Sequence, residues 1–119
     1  MATKLSEDFI KTELESLTEW SEVSGAIQKT FEFGTFLEAI TFVSKVADYA
    51  EQEQHHPDIL IRYNRVTITV STHDAGGITE KDFALARATN DLSASRADYF
   101  SSTDQYASSR NAFHDEYFA

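Results

Sequence analysis

The sequence predicts one α+β domain in which helices cover a single face of an antiparallel sheet. Three observations carry this. Val66, Ile68 and Val70 alternate with Thr67, Thr69 and Ser71, the pattern of a strand with one face on a core and the other in water. Phe36, Ile40, Val43, Ala47 and Ala50 recur at helical spacing, and they are the expected inward face of a long helix. These patterns follow one another as helix, strand, helix, hairpin, helix, so that strands meet through a hairpin and stay segregated from the helices. With 119 residues the chain can build one core of modest size.

Taken in order, Ser6 is an N-cap candidate followed by Glu7 and Asp8. Phe9, Ile10, Leu14 and Leu17 then supply an apolar stripe, which predicts a helix from Ser6 to Leu17. Gly25 opens the stretch Ala26 to Phe33, where Ile27, Lys29, Phe31 and Phe33 alternate with Gln28, Thr30 and Glu32; this reads as a strand with Lys29 as its imperfection. Thr35-x-x-Glu38 is a capping-box pattern at the start of the long helix. After a polar break at Glu51 to Pro57, the runs Ile59 to Tyr63 and Val66 to Ser71 form a hairpin with Asn64 and Arg65 between them. Gly76 and Gly77 end that pattern. Thr79-x-x-Asp82 opens a last helix, with Phe83, Ala86 and Leu92 directed inward. Three strands are secured in this way, and a fourth around Trp20 to Val23 is left open.

The charge narrows the functions. Twenty acidic residues against 10 basic give a formal net charge of −10, a surface that repels phosphate backbones and anionic lipid. Direct binding of nucleic acid or membrane is not expected. No apolar run approaches the length of a membrane span, and the first residues are acidic where a signal peptide needs an apolar core, so a soluble, cytoplasmic protein is expected. The absence of cysteine removes disulfides, thiol catalysis and thiolate metal ligands.

Three of the four histidines gather near element ends: His55 and His56 lie between the long helix and the hairpin, and His73 follows the second hairpin strand. An imidazole placed there can reach a ligand while its backbone stays anchored. Glu51 and Asp82 bring carboxylates to the same ends, although Asp82 also has a plain role open to it at the third position of a capping box. Glu51 sits at a helix C-terminus, where its sign is unfavourable to the dipole.

The spacing Glu51-x-x-x-His55-His56-Pro57, five residues to Tyr63, nine to His73 and eight to Asp82 resembles the signature of the pterin-4a-carbinolamine dehydratases, a family that also includes a dimerisation cofactor of a homeodomain transcription factor. Phe31-x-Phe33-x-x-Phe36 and Thr72-His73 extend the likeness over roughly Leu14 to Leu92. The resemblance implies a four-stranded antiparallel sheet backed by helices and a homo-oligomer, dimer or tetramer. It implies dehydration of a 4a-hydroxytetrahydropterin to quinonoid dihydropterin in tetrahydropterin recycling, with no cofactor and no metal, and with an aromatic amino-acid hydroxylase as a pathway partner. Catalytic roles fall on His55, His56 and His73, and supporting or substrate-binding roles on Glu51, Pro57, Thr72 and Asp82. Imidazole suits this chemistry because an acid must protonate the leaving hydroxide while a base receives a proton, both near neutral pH. His55 and His73 are the expected acid and base, and His56 a positioning donor.

Two rivals stand beside this reading. One is a non-catalytic dimerisation or assembly cofactor of the same fold, which would have no chemical need for the histidine set. The other is a divalent metal site on the three histidines and two carboxylates, made less attractive by the adjacency of His55 and His56, since neighbouring side chains in an extended segment point apart. The resemblance bounds a domain at residues 1–95 and leaves 96–119 as a C-terminal tail. In that tail Tyr99, Tyr106 and Phe113 are seven residues apart among frequent serines, which leaves open either an unstructured segment or a helix with an aromatic stripe.

Overall fold

The computed structural model describes residues 2–94. They form α1 (Glu7–Glu15), β1 (Ser21–Val23), β2 (Ala26–Glu32), α2 (Phe36–Glu53), β3 (Asp58–Arg62), β4 (Arg65–Val70) and α3 (Glu80–Ala94), with a short 3-10 turn at His73–Ala75 ahead of α3. The expected tail and its three aromatics lie outside the described residues. No helix among those described is long and apolar enough to cross a membrane.

The strands pair antiparallel in the order β1-β2-β4-β3, the four-stranded α+β arrangement expected. Register explains the core. Ile27 faces Val70, Phe31 faces Val66 and Ile59 faces Ile68, so the alternating apolar residues of β2, β4 and β3 share one side of the sheet. Ile10 of α1, Phe42 and Val46 of α2, and Phe83 and Ala86 of α3 join the same buried cluster. The other side is polar, with Gln28 Nε2 donating to Thr69 Oγ1 at 2.9 Å and the Thr30 and Thr67 hydroxyls 2.7 Å apart. Lys29, the odd member of the apolar face, is accommodated in two ways: its ammonium donates to Asn90 Oδ1 at 3.1 Å and lies 4.6 Å from the Phe31 ring centroid.

Helix starts follow the expected chemistry. Ser6 Oγ accepts from Phe9 N at 3.2 Å, and Thr35 Oγ1 accepts from Glu38 N at 3.1 Å. The fourth strand, left open by the sequence, is β1. It exists because Ser24 and Gly25 both take positive φ, 52° and 80°, which is the backbone of a tight two-residue hairpin.

Three expectations require correction. The first helix ends at Glu15 rather than Leu17, and Phe9 is exposed while Ile10 is buried, because only one side of α1 meets the sheet. The turn of the second hairpin is Tyr63–Asn64, one residue earlier than Asn64–Arg65, with Arg62 paired to Arg65. Asn64 is held there by the end of β2: its Nδ2 donates to Phe33 O at 2.7 Å, and Phe33 N donates back to Asn64 O at 2.9 Å. The inward face of α2 is Ala39, Phe42, Val46 and Ala50, with Val43 partly buried, rather than the stripe through Phe36, Ile40 and Ala47. The helix is apolar on two adjacent stripes, and periodicity alone does not say which one meets the sheet.

Candidate active site

The site is built where α2 ends. Gln54 takes the left-handed conformation, φ 51° and ψ 44°, Gln54 N donates to Glu51 O at 3.3 Å, and His55 N donates to Ala50 O at 3.0 Å. This is a Schellman turn closed by glutamine instead of glycine. It reverses the chain within one residue and sends His55 and His56 out at the helix end.

From there the two neighbours diverge. His55 Nε2 lies 2.6 Å from Asp82 Oδ1, with the imidazole 11% exposed and the carboxylate wholly buried. His56 Nε2 lies 2.6 Å from Glu51 Oε1, with side chains 57% and 72% exposed. Asp82 is the organising residue. Its Oδ2 accepts from Thr79 N at 2.8 Å and from Thr72 Oγ1 at 2.9 Å, and Asp82 N donates to Thr79 O at 3.1 Å. The Thr72 and Thr79 hydroxyls are 2.8 Å apart; since Thr72 spends its one proton on Asp82, Thr79 donates to Thr72. A carboxylate that only accepts requires the proton on His55 Nε2, which leaves Nδ1 with its lone pair when the ring is neutral.

Asp82 therefore both starts α3 and partners His55. Thr72, at the end of β4, is tied down by its exchange of backbone hydrogen bonds with Gly77, 2.9 Å and 3.3 Å. Gly76 closes the intervening turn at φ 76°, a conformation that favours glycine.

The three histidines line one open cleft of about 260 Å³ with Thr72 and Ser71. That volume is just under the ~300–1,000 Å³ common for small-molecule sites. The His73 carbonyl accepts from Gly76 N at 3.0 Å, and its imidazole has no hydrogen-bond partner among the described residues. Of the expected supporting residues, Glu51 and Asp82 stand behind the cleft as partners of His56 and His55, and half-buried Pro57 carries the chain from His56 into β3. Gln54, Ser71, Asp74 and Lys81 also line the cleft and were not singled out from the sequence. Their one sequence signal is adjacency: each is within a residue of a motif position. A smaller adjoining pocket behind His55 and Lys81 is walled by Tyr49, whose hydroxyl is pushed above its ordinary pKa by burial first and by Glu53 next, with Arg87 opposing.

Among the described residues no group of three or more His, Asp or Glu is arranged to hold a metal ion. Two of the imidazoles direct a ring nitrogen at a carboxylate instead.

The fold is an α+β domain with a small cleft lined by three histidines, one imidazole held by a buried carboxylate, a set of groups that can give and take protons. The sequence model described as Pterin 4 alpha carbinolamine dehydratase matches residues 3–92, and the chain belongs to that family. Similar curated proteins carry the name pterin-4-alpha-carbinolamine dehydratase provisionally. One from Picosynechococcus is 52% identical over 86 residues, covering 72% of this chain and 94% of its own, and one from Herpetosiphon aurantiacus is 54% identical over 82 residues, 69% and 85%. The crystal structure of a transcriptional coactivator/pterin dehydratase from Brucella melitensis superposes with a TM-score of 0.74 at 36% identity, covering 76% of this chain and 99% of that one. A pterin dehydratase-like protein identified as a RuBisCO assembly factor shares the fold at 24% identity, with a TM-score of 0.52 over 62% of this chain and 86% of its own. Family and relatives together support a pterin carbinolamine dehydratase activity.

Proposed function

We propose that this protein dehydrates 4a-hydroxytetrahydropterins to quinonoid dihydropterins, 4a-hydroxytetrahydrobiopterin among them, by histidine general acid–base catalysis. The observation that carries the reading is the buried Asp82–His55 pair beside a cleft shared with His56 and His73. In the reaction the C4a–O bond breaks, the N5–H proton leaves, C4a=N5 forms and water departs. His55 Nδ1 takes the N5 proton while Asp82, on the far side of the ring, holds the imidazole's orientation and compensates its arriving charge. His73, without a competing partner, protonates the leaving hydroxide. The two exchange roles when the hydroxyl leaves from the opposite face of the ring. His56, whose Nε2–H goes to Glu51, donates to the pterin from Nδ1 as the protonated ring and positions it.

The reaction regenerates a pterin spent by a monooxygenase, so the reading implies tetrahydropterin recycling in the cytoplasm, with an aromatic amino-acid hydroxylase as the pathway partner. It also implies a homo-oligomer. Support for that comes from the second stripe of α2, where Phe36 and Leu37 are exposed, and from Leu60, Ile61 and Tyr63, exposed on and just after the edge strand β3.

The test is an assay of 4a-hydroxytetrahydropterin dehydration with and without chelator. Turnover unaffected by chelation is expected; turnover lost with a bound metal would favour the metal reading, and no turnover at all would favour a dimerisation or assembly cofactor.

A further inference from the structure

A groove of about 420 Å³ between α2 and α3 shares no residue with the histidine-lined cleft. Tyr49 of α2 and Ala88 and Leu92 of α3 supply its apolar surface, and Tyr49 and Leu92 stay half-buried although both pack on the core. Each helix also brings a carboxylate to the groove. The side chains of Asp48 and Asp91 make no hydrogen bond or ion pair among the described residues. Half-covered apolar groups beside two unpaired acids are complemented by a segment that is apolar with a cation set among its apolar residues.

Such a segment lies in the same chain. The family match ends at residue 92 and α3 at Ala94, two residues past Leu92 on the groove, and residues 95–119 follow. Within them the run Ser101 to Asp104 has turn composition, and Ser102-x-x-Gln105 is a capping-box pattern, the local signal of a fresh helix start. Tyr106, Arg110, Phe113 and Tyr117 then come at intervals of four, three and four, the spacing of one helical stripe, with no glycine or proline to interrupt it. At helical rise the step from Tyr106 to Phe113 covers about 10 Å, the same as the step from Lys45 to Gln52 along the α2 side of the groove. The stripe is three aromatic rings and one arginine, in a chain whose net charge is −10.

We infer that residues 105–118 dock in the α2–α3 groove of their own chain, with Tyr106, Phe113 and Tyr117 on the apolar surface of Tyr49, Ala88 and Leu92, and Arg110 meeting the carboxylates of Asp48 and Asp91. Burial of the rings drives the contact, and the arginine sets its register. The own chain is the occupant because of the tether: the eleven residues after Ala94 reach about 40 Å at most, which holds the stripe near the groove at an effective concentration of order mM. A second copy has no such advantage. Tyr49 lines both this groove and the small pocket behind His55, so the docked segment backs the wall of that pocket.

The chain has no cysteine, so Gln52→Cys, exposed on the groove, provides a single attachment point for a nitroxide. In isotope-labelled full-length protein diluted into excess unlabelled wild type, the nitroxide is expected to erase the amide signals of Tyr106 to Tyr117. Reduction of the nitroxide should restore them. Tyr106→Ser combined with Phe113→Ser should also restore them, as should Arg110→Glu, whereas Arg110→Lys should keep the loss. Signals that stay sharp beside the nitroxide overturn the docking, and a loss that survives both the double serine variant and Arg110→Glu overturns the stripe. Broadening that passes from nitroxide-bearing chains to isotope-labelled chains lacking the cysteine, and vanishes on dilution, overturns the assignment to the own chain and gives the groove to a second copy. The dehydratase reading stands or falls separately, on its own assay.

Discussion

Two adjacent histidines meet carboxylates at the same 2.6 Å, yet the pairs differ in almost everything else. His55 faces Asp82 inside the protein, where water does not compete and where the carboxylate also holds Thr72 and the start of α3. His56 faces Glu51 at the surface, where solvent screens the pair and both side chains retain freedom. Surface pairs of that kind contribute about 0–1 kcal/mol. Breaking a buried pair by removing one partner costs about 3–5 kcal/mol, because the remaining polar group stays desolvated. Distance alone does not rank the two; burial and shared hydrogen bonds do.

The largest effects expected are on turnover. His55→Ala and His73→Ala should each lower the dehydration rate by about 10²- to 10⁴-fold, the usual share of one general acid or base. Near-native rates in folded variants would remove these residues from the proton transfer. Next comes stability: Asp82→Ala should lose about 3 kcal/mol in urea unfolding, as it strands His55 and Thr72 and uncaps α3 together. A loss below about 1 kcal/mol would mean that the network matters no more than a surface pair. His56→Ala sharpens the contrast between neighbours, since a positioning donor should raise KM by about tenfold with kcat nearly kept. The smallest effect belongs to Glu51→Gln, for which the unfolding midpoint should move by less than the equivalent of about 0.5 kcal/mol. A shift matching that of Asp82→Ala would erase the distinction drawn between the two pairs.

Much of this arrangement was legible in the residues. The strand patterns of Ile27 to Phe33 and Val66 to Val70 have period two, and a period-two apolar face must be covered or the sheet is exposed. The caps at Ser6 and Thr35 follow from local chemistry, since a side-chain oxygen three residues before a backbone N–H can satisfy it whatever the rest of the chain does. The histidines and carboxylates of the site were legible too, through spacing and family likeness. Their pairing was not. Nothing in the order Glu51, His55, His56, Asp82 says that His55 reaches 27 residues ahead while its neighbour turns back to the helix it has just left.

What the sequence determined by itself is therefore what short range controls: alternation, helical period, caps and the set of chemical groups available. The tertiary structure decided which of the two apolar stripes on α2 faces the sheet, where Asn64 halts the second hairpin, and which histidine is buried. The physical reason is common to all three. Each is a choice between local arrangements of similar energy, and it is settled by contacts between different elements: Phe42 against Phe31 and Phe33, Asn64 against Phe33, and Asp82 against His55.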